Sequence, residues 1–332
     1  MIIDASLPSV PLSSVPAIAR TAEEMGFHTL WSSETIHDPF LPGTLITEHT
    51  SHLHFGTAVA VSFARSPATI AYTAWDLAHY SSGRFILGLG TQVKAHIERR
   101  FGMPWPESVT GKLSEQIAAV RAFWSCWQNG TPLSYRGEYY RLNLMSPFFN
   151  PGPIDHPNIP IHIAGVNAGL AQLAGRSANG FLVHPLHSSS YLREIILPAL
   201  EQGATKAGRN RSEISVSVTA FAVTTPEENA LVRAQIAFYA STPSYRAVMS
   251  HHGWEETAIK LSALARRGQW SDMLSLISDE MLATFAVIAQ PEALSEVLCK
   301  KYQGLADHLT LYIPFIPGER DQFWRQLITY VG

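Results

Sequence analysis

The feature that most constrains this chain is the regular alternation of short apolar runs with helix-period stretches. Ile2–Leu7 is too short for a helix and apolar enough for a strand. Ser13 or Ser14 then caps a helix with Val15, Ile18, Ala19, Ala22 and Met25 on one face, ended by Gly26. Strands are expected at Phe27–Ser33, His54–Val61 and Arg84–Gly90, with a polar loop at 34–50 and a helix from Pro67 to Tyr80. His54–Val61 is small or β-branched on both faces, as in a parallel strand buried on both sides. Strand–helix repetition of this kind demands a parallel sheet with right-handed crossovers.

The pattern continues along the chain. A helix is expected at Leu113–Trp127 and a surface hairpin at Leu133–Leu142. Strands follow at Pro160–Ala164, Asn179–Val183, Ile214–Val223 and His308–Ile313, with helices at Asn167–Arg176, Ser190–Ala207 and Arg320–Tyr330. Eight strands in βα order close as a (β/α)₈ barrel. An open doubly wound sheet is the competing architecture, with no reason for eight regular units. A barrel takes about 250 residues, and this chain has 332. The surplus is a mainly helical insertion between strands seven and eight, residues 224–306. Helices are expected there from Pro226, at Trp254–Arg266 and at Ser271–Ile277. One domain, 1–332, is expected.

Composition excludes several classes. At 46% hydrophobic residues and a net charge of −3, the chain is not disordered, and it lacks the basic footprint of a nucleic-acid binder. No apolar run reaches the roughly 18 residues of a membrane span. The start carries no basic segment of a signal peptide. Cys126 and Cys299 are too few for a disulfide framework and suit a reducing compartment. A cytoplasmic location without membrane contact is therefore expected.

In such a barrel, chemistry sits at the C-terminal strand ends. Candidates are Glu34, Thr35, His37 and Asp38 after strand two, and Val61, Ser62 and Arg65 after strand three. Thr91, Gln92, Lys94 and His96 follow strand four. Gly165, Val166 and Asn167 follow strand five; His184, His187 and Ser188 follow strand six. Gly88-x-Gly90 lacks the third glycine of a dinucleotide fingerprint, since Val93 holds that place. The two glycines instead let the strand end lie flat beneath a ligand or a neighbouring strand. Asn167, just before a helix, reads either as an N-cap or as part of a phosphate-binding turn. His49, His52 and His54 offer imidazoles for a metal hydrolase, but no matching carboxylate–histidine set recurs at other strand ends, and no metal is expected. Arg84, at the opposite barrel end, suggests a structural ion pair.

Several stretches together resemble the bacterial luciferase-like flavin and deazaflavin oxidoreductases. They are Ser81–Gly102 (SSGRFILGLGTQVKAHIERRFG), Arg65-Ser66-Pro67 before Ala71–Leu77, Ala22–Phe27 leading to Trp31, and Ile161–Gly165 followed by Ala174–Phe181. Gly137–Tyr140 and Pro291–Leu294 extend the likeness over nearly the whole chain. Glu34, His37–Phe40 and Gly90–Val93 resemble the coenzyme F420-dependent subgroup most. That resemblance implies a deazaflavin at the barrel mouth, with FMN as the alternative, and a homodimer acting on a small molecule. It implies a cis peptide at Ala58-Val59 that bulges against the deazaflavin ring, with Ala58, Val59 and Val61 as cofactor-binding residues. Ala164, Gly165, Val166 and Asn167 would hold the cofactor phosphate, Thr91 would lie beside the ring, and His184 and Ser188 would meet the tail. The sequence departs from the sugar-phosphate dehydrogenases of the family. Glu34-Thr35 replaces their Asp-His pair, and Val93 and His96 replace their Glu and Asn. Glu34, His37 and His96 remain as proton-transfer candidates. Phe40, Phe63, Trp105 and Phe148 are candidates to shape the pocket. Hydride transfer with F420 is the leading expectation. An FMN monooxygenase and a non-catalytic flavin-binding barrel are the rivals on this fold.

Overall fold

Eight parallel strands close on themselves in a computed structural model that describes residues 1–331. They are β1 (Ile2–Ser6), β2 (Thr29–Ser32), β3 (His54–Thr57), β4 (Phe85–Gly90), β5 (Ile161–Gly165), β6 (Gly180–Val183), β7 (Ser215–Val223) and β8 (His308–Leu311). Neighbours pair in chain order, and β8 closes onto β1 with Ile2 opposite His308 and Asp4 opposite Thr310. A two-residue strand, Ala60–Val61, resumes the line of β3 and pairs with Leu89 and Gly90 of β4. The architecture is the eight-stranded α/β barrel the sequence implies.

Apolar alternation explains both cores. The outer face of the sheet packs on helices such as Val15–Met25, Pro67–Tyr80 and Val109–Asn129, whose buried stripes include Ile18, Trp75 and Trp124. Inside the barrel, Trp31, Ile86 and Leu182 form a small separate plug, with Ala58, Val59 and Ala164 packed on it. The first helix ends at Gly26 with φ +96°, the left-handed cap the sequence implies. Ser14 precedes that helix without a side-chain capping bond, because a 3₁₀ turn, Leu12–Ser14, leads into it.

Three features differ from the sequence reading. Residues 34–50 are not all loop: Leu41–His49 is a helix, with Pro42 fitted into its first turn, where no N–H is needed. The insertion carries helices at Pro226–Ala240, Glu255–Arg266, Asp279–Phe285 and Leu294–Tyr302, but also a short strand. That strand, Ala286–Ile288, pairs in parallel with Phe221–Val223, the end of β7 that outruns β8. Arg84 makes no ion pair; its guanidinium donates to the carbonyl oxygens of Thr47, Leu53 and Ser81 and to the Thr50 hydroxyl. The hairpin is real but small, Tyr135–Arg136 against Arg141–Leu142. No helix among the described residues is long and apolar enough to cross a membrane.

Candidate active site at the barrel mouth

A cavity of about 450 Å³ opens at the C-terminal ends of the strands. Its floor is the top of the inner plug: Trp31, Ala58, Val59, Ala164 and Leu182. Its walls come from Ser6–Ser9 after β1, Ser33–Thr35 after β2, Gln92 after β4, His184 and Pro185 after β6, and Tyr312 and Pro314 after β8. Ser217, Thr219 and Thr310 add hydroxyls from inside the barrel, and Tyr239 reaches in from the insertion. No lysine or arginine lines it.

The Ala58-Val59 peptide is cis and projects at this floor. Two glycines make room beside it. A Cβ on Gly88 would lie 1.8 Å from the Thr57 carbonyl oxygen, and one on Gly90 would lie 2.4 Å from Val59 Cγ2. Thr57 Oγ1 stitches the strands by donating to Gly88 O at 2.7 Å and accepting from Gly88 N at 3.0 Å. The glycine pair therefore serves strand-to-strand contact beneath the cavity.

Glu34 stands in the wall, but its carboxylate is engaged. Oε2 accepts from Arg65 Nη1 at 2.6 Å and from the Val61 backbone N–H at 2.7 Å, while Glu34 N donates to Val59 O at 3.3 Å. Arg65 also donates from Nη2 to Asp38 Oδ2 at 2.9 Å, and its guanidinium lies over the Phe40 ring. Burial alone would lower the Arg65 pKa, but Glu34 and then Asp38 raise it above its ordinary value. Glu34 is thus the fixed anion of a clamp that holds both ends of the segment 59–61. His37 and His96 are exposed, in the loop after β2 and on the helix Lys94–Arg99, and neither lines the cavity. Of the three residues expected to move protons, only Glu34 lines the cavity.

His184 does face the cavity. Its Nδ1 accepts from Leu186 N at 3.1 Å, so the hydrogen resides on Nε2. Tyr239 and Tyr245 flank the ring at centroid distances of 4.5 and 4.4 Å. Burial holds its pKa down to about 3, so the imidazole is neutral and its Nε2–H is a donor toward the cavity. Tyr239 and Tyr312 bond through their hydroxyls at 2.6 Å, and Tyr312 donates onward to Gln235 at 3.2 Å. Burial raises both phenol pKa values, so both stay protonated. Ser217 Oγ is buried without a hydrogen-bond partner at the cavity's edge.

The remaining expected residues divide. Ala164 lines the cavity, while Thr91 is half-buried beside it and bonds Gln92 O at 3.2 Å. Gly165, Val166 and Asn167 form the turn into the helix Ala168–Ser177. Asn167 holds the N-cap position of that helix without a side-chain capping bond; its Nδ2 donates to Ser244 O at 3.0 Å, and its Oδ1 is buried without a partner. Ser188 is turned away from the cavity, accepting from Tyr191 N as a helix cap and bonding His252 at 2.9 Å. Phe40 and Phe63 are core residues and Phe148 is exposed, so none of the three lines the cavity. His49 bonds Leu45 O of its own helix, His52 is exposed and His54 stacks on His28, so these three do not form a metal site.

The sequence reading missed Trp31 in the floor and Ser217, Thr219, Thr310 and Tyr312 around it. The signal was present: alternate residues of a barrel strand point inward, which selects Thr310 and Tyr312 in β8 and its continuation. Tyr239 had no such signal, because it comes from an inserted helix.

A flat apolar floor, backbone at a strand break and unpaired polar atoms at the edge fit a planar ring with a polar tail. A family model described as luciferase-like monooxygenase matches residues 4–308. An uncharacterized protein of Mycobacterium tuberculosis is 42% identical over 313 residues, covering 92% of each chain. The 5,10-methylenetetrahydromethanopterin reductase of Methanolobus tindarius is 26% identical over 294 residues, 86% of each chain. Among solved structures, the coenzyme F420-dependent tetrahydromethanopterin reductase of Methanopyrus kandleri shares the fold at 19% identity. Its TM-score is 0.77, over 99% of this chain and 98% of that one. With the match spanning nearly every strand of the barrel, the chain belongs to the luciferase-like monooxygenase family of oxidoreductases.

Proposed function

We propose that the chain transfers a hydride between coenzyme F420 and a small, uncharged substrate bearing a carbonyl or hydroxyl group. The observation that carries this reading is the cavity lining: an apolar floor that includes Ala58 and Val59, neutral donors above it, and no lysine or arginine among the described residues that line it. The deazaflavin supplies a carbon that carries hydride and, lacking the flavin N5, does not activate dioxygen.

The residues divide the work. Ala58, Val59 and Val61, held by Glu34 and Arg65, shape the seat of the ring. Thr91 and Gln92 border it, and the Ala164–Asn167 turn, with the first N–H groups of the following helix, holds the phosphate. A carbonyl oxygen gains negative charge as hydride reaches its carbon. His184 Nε2–H is the donor set toward it. The aromatic wall of Tyr239 and Tyr312 keeps water out. A phosphorylated substrate would bring charge with no cation to meet it.

The family model's description, luciferase-like monooxygenase, favours one rival, an FMN enzyme using dioxygen on the same barrel. Fluorescence titration of the purified protein with F420 and with FMN in parallel separates them. Preferential F420 binding, with reduced F420 oxidised by an uncharged aldehyde or ketone without oxygen uptake, is the expected result. FMN preference with oxygen uptake would replace the proposal. Binding without turnover across that panel would return the chain to a binding role.

A further inference from the structure

The opposite pole of the barrel carries a second cluster. Asp4 lies inside β1, fully buried. One carboxylate oxygen, Oδ2, accepts from Trp31 Nε1 at 2.9 Å and pairs with His308 Nδ1 at 3.0 Å. The other, Oδ1, is buried with no hydrogen-bond partner. His28 Nδ1 stands 3.7 Å from Oδ1, too far for a hydrogen bond. A buried carboxylate oxygen left unpaired is costly.

The donor atoms of Asp4, His28 and His308 all lie within 4.8 Å of one another. A tetrahedral ion about 2.0–2.1 Å from each nitrogen or oxygen donor sets neighbouring donors about 3.4 Å apart. Each imidazole faces its own carboxylate oxygen, His308 Nδ1 at 3.0 Å from Oδ2 and His28 Nδ1 at 3.7 Å from Oδ1, separations close to that value. We propose that Asp4, His28 and His308 form a binding site for a divalent transition-metal ion of the zinc class at the N-terminal pole of the barrel. Two imidazoles and a carboxylate suit such ions better than calcium or magnesium, which prefer oxygen alone. The His28 side chain is 39% exposed, which gives a path of entry and leaves a coordination position to water. His54 stacks on His28 at 4.6 Å and fixes its ring, and Trp31 orients the carboxylate.

Coordination replaces existing contacts one for one. The ion takes the His28 Nδ1 lone pair now facing the Thr29 hydroxyl at 2.8 Å. It also takes the Nδ1 position of His308 that now faces Asp4, whose hydrogen moves to Nε2 or is lost, and acid, which protonates the ligands, weakens binding. The ligands come from β1, from the residue before β2 and from β8, at the seam where the two ends of the chain meet. An ion there binds only the closed barrel and stabilises it by mass action.

The test is calorimetric titration of chelator-treated full-length protein with Zn²⁺, joined by the visible spectrum with Co²⁺. One ion per chain is expected, with the intense bands of four-coordinate cobalt and a higher Tm. His28→Gln, at the accessible edge, should fold normally and lose affinity by at least about 10-fold. Asp4→Asn should abolish the cobalt bands, its folding checked by circular dichroism. The calorimetric and cobalt readouts need no F420, so they test this site separately from the proposed cofactor seat, whose floor residue Trp31 bonds Asp4. Failure to retain an ion, or retention unchanged in both folded variants as adventitious binding at exposed histidines only, would overturn the proposal.

Discussion

Glu34 illustrates how one residue type can answer two different needs. A carboxylate at the end of a barrel strand invites an acid–base role, and sequence offers no way to see a partner 31 positions away. The structure supplies that partner, and with it a different task. Arg65 and the Val61 N–H together occupy Oε2. Removing one member of a largely buried pair leaves the other charge uncompensated, at about 3–5 kcal/mol when fully buried. Arg65 keeps Asp38 and is 19% exposed, so Glu34→Gln should cost less, about 2 kcal/mol in urea unfolding. Arg65→Lys should cost a similar amount, because a point charge cannot bridge Glu34 and Asp38 as a fork does. Both variants should weaken F420 binding by loosening segment 59–61. An unchanged unfolding midpoint in both would remove the clamp. His184 was legible as a candidate from its place after β6, but not its neutral state, which follows from the Leu186 N–H and from burial.

At the scale of elements, the order of eight strands was legible because each apolar run had to be buried on both faces, and turn residues bounded it. What escaped was structure whose cause lies elsewhere in the chain. Ala286–Ile288 is a strand because β7 has a free edge there, and Leu41–His49 is a helix in a stretch dominated by polar residues. The β4 glycines were legible as a flat surface, but not as a contact with β3. Their geometry ranks two substitutions. At Gly88 a Cβ meets a backbone carbonyl, so the strands themselves must separate. Gly88→Ala should destabilise by about 3 kcal/mol or more, or prevent folding. At Gly90 the three nearest atoms all belong to the Val59 side chain, Cγ2 at 2.4 Å and Cβ at 3.2 Å, so side-chain repacking suffices and Gly90→Ala should cost less, about 1 kcal/mol. Urea midpoints of the two variants check the order, and equal costs would contradict the strand-contact reading.

For the whole molecule, the buried imidazoles set the pH range in which the barrel holds. Burial lowers the pKa of His162 to about 4, with Nδ1 left unpaired, and that of His187 to about 4. In the unfolded chain both return to about 6.5. Between pH 6.5 and 4 the unfolded state therefore binds protons that the native state refuses, and stability falls as pH falls. Each group should remove about 2 kcal/mol by pH 5. His308 has the opposite sign. Burial lowers its pKa, but Asp4 raises it further, so its contribution is full below 6.5 and is lost as pH rises through the folded value. That offsets part of the acid loss. Burial pushes the Asp4 pKa up, but the adjoining imidazoles and Trp31 hold it below the ordinary value, so its contribution fades only below about pH 4, outside this window. The net expectation is a urea midpoint that drops steadily from pH 7 to pH 5. His162→Gln should flatten that slope even though it lowers the midpoint at pH 7, because the amide has no proton to bind. An unchanged slope in His162→Gln would mean that the acid sensitivity arises elsewhere, and His187, bonded to Tyr302 and the His184 carbonyl, would be the next group to replace.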